Sequence, residues 1–143
     1  MDGSQQVLIQ KTPYLFMVAA ISDYIPKFPQ NGKLKKEQLG QEWTLQLTQN
    51  IDILSSIDKT GIITVGFKAE MDDATALQNA KNMLEKKQLD AVCLNLVTND
   101  TAFGSDQNQI DLILKEQTIS LEKQDKLNIS MQLLEQLGCR FND

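Results

Sequence analysis

The sequence contains no histidine, and so lacks the side chain that most often serves as general base, metal ligand and proton carrier near neutral pH. Nucleophile–histidine dyads are excluded with it. Acid–base or electrostatic work must fall to Lys, Asp, Asn or backbone groups. Cysteine is scarce as well. Cys93 and Cys139 stand far apart and outside any CxxC spacing, so neither a disulfide framework nor a zinc knuckle is indicated. Both thiols are expected to be reduced, with Cys93 in the core, and no protein-held metal is expected.

Long apolar runs are missing too. The longest, Tyr14 to Ile21, falls well short of the roughly 20 residues a helix needs to span a bilayer. No basic-then-apolar leader opens the chain. The expectation is a cytoplasmic protein with no membrane partner. Positive charge is in deficit: 14 basic against 19 acidic residues give a net charge of -5, which offers no global attraction for a nucleic acid. A compact anion such as a nucleotide needs only a local cluster of cations and amides, so overall acidity leaves it open.

What is present reads as alternating strands and helices in 143 residues, 41% of them hydrophobic, enough for one core. Residues 1–12 are polar and without period, a tail. Tyr14–Ala20 is continuously apolar, as a central strand buried on both faces of a parallel sheet would be. Residues 22–40, with Pro26, Pro29, Gly32 and a set of lysines, predict a surface flap without regular elements. Trp43–Thr48 alternates with period two, as a half-exposed strand should. Asn50 suits the cap of a short helix, and Gly61–Phe67 a second buried strand. Asp72 and Asp73 begin a helix to about Gln88, with Leu77, Ala80 and Leu84 on one face. Ala91–Leu94 is a third buried strand. The segment 109–121 predicts a β-hairpin turning near Glu116, and a final helix runs from about Lys126 to Gly138. The fold class expected is α/β: a Rossmann-like open, mostly parallel sheet with flanking helices and a C-terminal hairpin, incomplete on its N-terminal side because nothing before Tyr14 supplies a neighbouring strand.

In such sheets ligands bind beyond the carboxyl ends of the strands. Three such ends are expected here: Ala19-Ala-Ile-Ser-Asp-Tyr24, with Asp23 at its mouth; Val65-Gly-Phe-Lys-Ala-Glu70, where Phe67 offers a flat face to a base; and Asn95. The flap adds Lys33-Leu-Lys-Lys36, cations suited to closing over a polyphosphate. Each has an ordinary structural alternative: packing for Phe67, turn chemistry for Asp23, solvation for the lysines. Their joint placement at strand ends favours the ligand reading.

Ala19-Ala-Ile-Ser-Asp-Tyr-Ile-Pro26, Lys33-Leu-Lys-Lys36, Asn50-Ile-Asp-Ile-Leu54, Val65-Gly-Phe-Lys-Ala-Glu70 and Phe103-Gly-Ser-Asp-Gln-Asn108 occur in this order. Together they resemble the synthetase part of the bacterial bifunctional coenzyme A biosynthesis protein, in which a phosphopantothenoylcysteine decarboxylase is joined to a CTP-dependent phosphopantothenate–cysteine ligase. The resemblance runs from about Tyr14 to Leu137. It implies that 13–143 is the second half of a ligase domain, a homodimer in its relatives. The implied substrates are CTP, with Mg²⁺, 4'-phosphopantothenate and cysteine. The carboxylate of 4'-phosphopantothenate attacks the α-phosphate of CTP, giving an acyl-cytidylate and pyrophosphate; the amine of cysteine then displaces CMP. Lys33 matches the family's catalytic flap lysine, which stabilises charge on the phosphoryl oxygens. Met17, Val18, Ala19, Asp23, Ile51, Asp52, Ile53, Leu54, Phe67 and Lys87 match nucleotide contacts.

The sequence also departs from the family. Ile51 stands where relatives carry proline. Met83 replaces the first of two helix lysines, for which the nearby Lys81 and Lys86 are candidate substitutes. Asn95-Leu96 replaces Asn-Asp. The glycine-rich turn and catalytic asparagine of the family's first half do not occur before Tyr14, nor does the FMN-binding decarboxylase. Two readings result: part of a ligase, or a nucleotide-binding or dimerisation module without catalysis of its own.

Overall fold

A computed structural model of the chain describes residues 11–97 and 107–141. The chain divides into two units, Met1–Val18 with Asp58–Asp143, and Ala19–Ile57.

The first unit is built on a five-stranded sheet. Its strands are β1 (Tyr14–Met17), β4 (Ile63–Glu70), β5 (Ala91–Leu96), β7 (Ile110–Ile113) and β8 (Thr118–Ser120), adjacent in that order. β1, β4 and β5 are parallel, with Tyr14 beside Ile63 and Val65 beside Ala91, whereas β7 and β8 form the antiparallel hairpin expected from the sequence. Leu114 N–H closes its turn on the Gln117 carbonyl at 2.8 Å. A two-residue pair, β6 (Gln107–Asn108) with β9 (Gln124–Asp125), lies outside the main sheet.

Two helices complete this unit. α3 (Asp73–Lys86) starts where Asp72 accepts from Ala74 N–H at 3.0 Å and Thr75 hydroxyl at 3.1 Å, so the cap and the first-turn Asp73 satisfy and complement the helix terminus. It buries Ala76, Ala80 and Leu84, four residues apart; Leu77, expected on that face, is 42% exposed. It ends without glycine: Gln88 takes φ +54 and Leu89 N–H bonds the Leu84 carbonyl at 2.9 Å, which closes the last turn. α4 (Lys126–Phe141) buries Ile129, Leu133 and Leu137 over a cluster that includes Val65, Cys93 and Leu112, with Tyr14, Phe16 and Phe67 packed at its margin. The helix does not stop at Gly138, because Leu137 and the half-buried Phe141 continue its packed stripe.

The first strand differs from its expectation. It is four residues long, half-buried, and among the described residues has one neighbour, β4. Its apolar character supports Tyr14 and Phe16 on the α4 face, whose rings stack with centroids 6.1 Å apart, while Val18 to Ala20 leave the sheet and are exposed.

The second unit contains regular structure that proline and glycine content argued against. β2 (Tyr24–Pro26) pairs antiparallel with β3 (Leu47–Gln49). Pro26 is tolerated at an end of this two-strand ladder, where one missing donor costs little. One helical turn, α1 (Lys36–Leu39), and a second, α2 (Ile53–Ser56), accompany them. Strand pairing begins at Leu47, extended by one bond from Lys27 N–H to the Gln46 carbonyl at 2.9 Å, so most of the alternating segment from Trp43 lies outside the strand. The cap of α2 is Asp52, not Asn50: its Oδ1 accepts from Ser55 N–H at 3.3 Å and its Oδ2 from Ser55 hydroxyl at 2.8 Å. The tail 1–10 and the motif residues Phe103 to Asp106 lie outside the described residues.

Candidate functional site

In the first unit the three parallel strands run in one direction, and β1 ends before the other two. β1 stops at Met17, which pairs with Gly66; β4 and β5 continue to the pair Glu70 and Leu96. Met17, Val18, Phe67 and Asn95 therefore share one end of the sheet. Val18 is 66% exposed. Phe67 is half-buried and packs against the α4 cluster, so part of its ring is already committed to the core. Asn95 is aligned with Ala69 on one side and Ile110 on the other. Its side-chain Oδ1 is shielded from solvent and accepts no hydrogen bond from the described residues. An orphaned buried acceptor of this kind is disfavoured unless something donates to it.

The lysines on α3 occupy the other end. The helix leaves the carboxyl end of β4 and runs back toward the start of β5, so Lys86 and Lys87 follow a helix of 14 residues, roughly 20 Å long at 1.5 Å per residue. Lys81 is nearer its middle. Lys81 and Lys86 are exposed, and Lys87, half-buried, caps the helix with its N–H directed to the Met83 and Glu85 carbonyls. The structure thus separates Lys86 and Lys87 from Phe67 and Asn95 within this unit. Met83 is half-buried there, where an apolar side chain packs more readily than an ammonium.

In the second unit Asn50 gathers the sequence motifs. Its N–H donates to the Asp23 carbonyl at 2.7 Å, its Nδ2 to the Ser22 carbonyl at 3.0 Å, and its Oδ1 accepts from Ile51 N–H at 2.9 Å. Asp23 is thereby placed beside the turn leading into Ile51, Asp52, Ile53 and Leu54. Ile51 is 72% exposed, Leu54 is buried, and the Asp52 carboxylate is occupied by its cap. Ala19, Asp23 and Lys33 are exposed, and Lys33 stands on the loop between β2 and α1, one residue after Gly32 at φ +90.

Sequence reasoning missed one cluster. Lys68 Nζ lies 3.1 Å from Glu70 Oε1, and Asn79 Nδ2 donates to that same oxygen at 3.2 Å. The i, i+2 spacing of Lys68 and Glu70 on a strand was the available signal, since alternate residues share a face.

An open, mostly parallel α/β sheet with flanking helices is the architecture of many nucleotide-binding domains. The model of the DNA/pantothenate metabolism flavoprotein C-terminal domain matches residues 1–139, and the chain belongs to that family. Its relatives include the coenzyme A biosynthesis bifunctional protein CoaBC of Vibrio vulnificus, 35% identical over 123 residues that cover 83% of this chain and 30% of the relative. CoaBC of Bacillus subtilis is 33% identical over 125 residues, covering 85% and 30%. The chain therefore spans about a third of the length of these proteins. Among solved structures, the C-terminal domain of a CoaBC protein superposes with a TM-score of 0.61 at 21% identity, over 89% of this chain and 54% of that one. A Cab2 mutant complexed with phosphopantothenate-cysteine gives a TM-score of 0.58 at 17% identity, over 85% and 43%. These likenesses establish the fold.

Proposed function

We propose that this chain is the nucleotide-binding part of a ligase that joins 4'-phosphopantothenate to cysteine through an acyl-cytidylate, in coenzyme A biosynthesis. The family match over residues 1–139 carries this reading. The names of the CoaBC relatives and the ligand of the Cab2 structure support the pathway and the substrates. The reaction has two balanced steps. A substrate carboxylate oxygen bonds to the α-phosphorus of CTP and pyrophosphate leaves; the cysteine amine then bonds to the acyl carbon and CMP leaves.

The residues divide this work by position. Met17 and Val18 offer backbone groups at the strand end, which recognise a base edge by a fixed donor–acceptor pattern and penalise a wrong one by leaving buried groups unpaired. Asn95 Oδ1 is an acceptor for a ligand N–H or O–H. Lys33 matches the family's flap lysine, and a cation in that role lowers a phosphoryl transition state more than the ground state. Phe67 and Asp23, with Ile51 to Leu54, complete the contacts that the family motifs suggest. Lys87 and its neighbours Lys81 and Lys86 are weaker members of the set, given their distance along α3. Among the described residues no group of three or more Cys, Asp or Glu side chains is arranged to hold a metal ion. Mg²⁺ is proposed to enter with CTP, as the family resemblance implies. FMN belongs to the decarboxylase part of the bifunctional relatives and has no role in this proposal.

The second unit supports a homodimer. Tyr24, Trp43, Leu45 and Leu47 are 46–58% exposed, an unusual density of large apolar groups for a free surface. No helix among the described residues is long and apolar enough to cross a membrane, and a cytoplasmic setting agrees with the proposed substrates. A module that binds nucleotide without turnover is the second reading. Pyrophosphate release in the presence of the upstream half, compared for CTP and ATP, tests the proposal: preference for CTP is expected, and equal turnover with both removes the base-reading role of Met17 and Val18.

A further inference from the structure

Lys68 lies beyond the point where β1 ends. The β1–β4 ladder closes at Met17 and Gly66, whereas the β4–β5 ladder continues to Glu70 and Leu96. Lys68 shares a face with Gly66, two residues further along, so no β1 residue stands opposite it. Its side chain is 31% exposed and that of Glu70 19%. Glu70 is fixed from two directions, by the Lys68 ammonium at 3.1 Å and by Asn79 of α3 at 3.2 Å, and its carbonyl accepts from Val97 N–H at 2.8 Å. Lys68 is therefore tied to an anchored carboxylate and is not a free rotor. A partly exposed pair of this kind contributes only about 0–1 kcal/mol to stability; its main effect is to place a cation. An ammonium carries three donors, and among the described residues Glu70 is the ion-pair partner of Lys68.

We infer that Lys68 is an anion-contacting residue at the carboxyl end of β4, positioned by Glu70 and Asn79, and that the group it receives is a phosphate of a bound substrate. This rests on the ligase reading and adds a residue to it. A phosphate oxygen accepts a charge-assisted bond from the ammonium while Glu70 keeps the side chain directed along the strand end. Two sources share this chemistry, the triphosphate of the nucleotide and the phosphomonoester of 4'-phosphopantothenate.

Calorimetric titration of the purified chain with CTP, 4'-phosphopantothenate and unphosphorylated pantothenate separates these cases. Lys68→Ala is expected to weaken at least one phosphate-bearing ligand about tenfold, equivalent to about 1.4 kcal/mol, and to leave pantothenate unchanged. Lys68→Arg should retain most of the affinity, and Glu70→Gln should lose a few-fold through misplacement of the cation. A loss confined to CTP assigns the nucleotide phosphate; one confined to 4'-phosphopantothenate assigns the phosphomonoester. Unchanged affinity for both in Lys68→Ala overturns the inference, as does an equal loss for pantothenate, which marks a structural effect. If the unmodified chain binds neither phosphate ligand, the ligase reading of this chain falls together with it.

Discussion

Asp90, at the start of β5, reaches back to Thr64 of β4: its Oδ2 accepts from the Thr64 amide at 2.8 Å and from the Thr64 hydroxyl at 3.1 Å, while its own amide donates to the Thr64 carbonyl at 3.0 Å. Thr64 is fully buried, so these bonds satisfy groups that no water reaches. Asp90→Ala should lower stability by about 1–3 kcal/mol through the unpaired Thr64 donors. Asp90→Asn, which keeps an acceptor, should cost less. Urea unfolding measures both, and equal stability of Asp90→Ala and the unmodified protein contradicts the clamp. The clamp sits at the amino end of the strands, so ligand affinity of the folded fraction should not change.

Cys93 is buried within β5, and desolvation pushes its thiol up to about 12. Cys139 is exposed on α4. Because the thiolate is the reactive form, a thiol reagent at pH 8 should modify one cysteine in the native chain and two after denaturation. Rapid modification of both in the native state would show that the core around β5 is open.

The elements most visible in the sequence are those whose local pattern and tertiary role agree. The run Ala91 to Leu94, the Asp72 cap with its helix and the hairpin about Glu116 all appear as read. Strand length in β1 was not legible, because an apolar run continues past Met17 into residues that the structure exposes. The β2–β3 pair was hidden by Pro26 and Pro29, since local composition signals a loop even where long-range pairing supplies a short ladder. The candidate site was only partly legible. Strand ends pointed to Phe67 and Asn95, whereas the first end was read at Ala19–Tyr24 and the structure ends β1 at Met17, a residue that only the family resemblance had named. Periodicity carries no information about a helix's direction, so the position of Lys87 at the far end of α3 emerged only from the topology. The anchoring of Glu70 by Asn79 depends on two elements meeting and left no trace in local spacing.

Asp125 caps α4. Its Oδ1 accepts from Asn128 N–H at 2.9 Å and its Oδ2 from Asn128 Nδ2 at 2.5 Å, and the backbone bond from Asn128 is the main cause holding its carboxyl below the ordinary carboxylate value of 3.8. A depressed carboxylate adds stability that is fully present above its unfolded pKa and lost as pH falls through its folded one. The start of α4 should therefore loosen below about pH 4. Amide exchange of Asn128 followed by NMR should rise in that window, and Asp125→Ala should show fast exchange at every pH. A pH-independent Asn128 amide in the unmodified chain contradicts the cap's role.

Lys33 and Lys36 separate a specific contact from a diffuse one. Lys33 stands on an open loop, whereas Lys36 begins α1. In the ligase assay with the upstream half present, Lys33→Ala should reduce turnover by about 10²-fold, the scale of one lost transition-state contact, and Lys36→Ala by much less. Equal effects would mean that the flap acts as a general basic patch.

The chain by itself should bind nucleotide weakly and fail to form product. One observation motivates this expectation: among the described residues β1 has β4 as its one neighbour in a sheet whose other parallel strands are paired on both sides. A further parallel strand beside β1 would pair with backbone groups on the side away from β4. Incubation of the purified chain with CTP, Mg²⁺, 4'-phosphopantothenate and cysteine, followed by mass spectrometry for CMP and the amide, gives the answer. Sustained product from the chain alone contradicts the expectation and means that Lys33, Asn95 and the strand ends suffice. Product only after the upstream segment is added shows that the activation step needs groups from that segment, and new protection of the Phe16 amide, which the register turns away from β4, would locate an added strand beside β1.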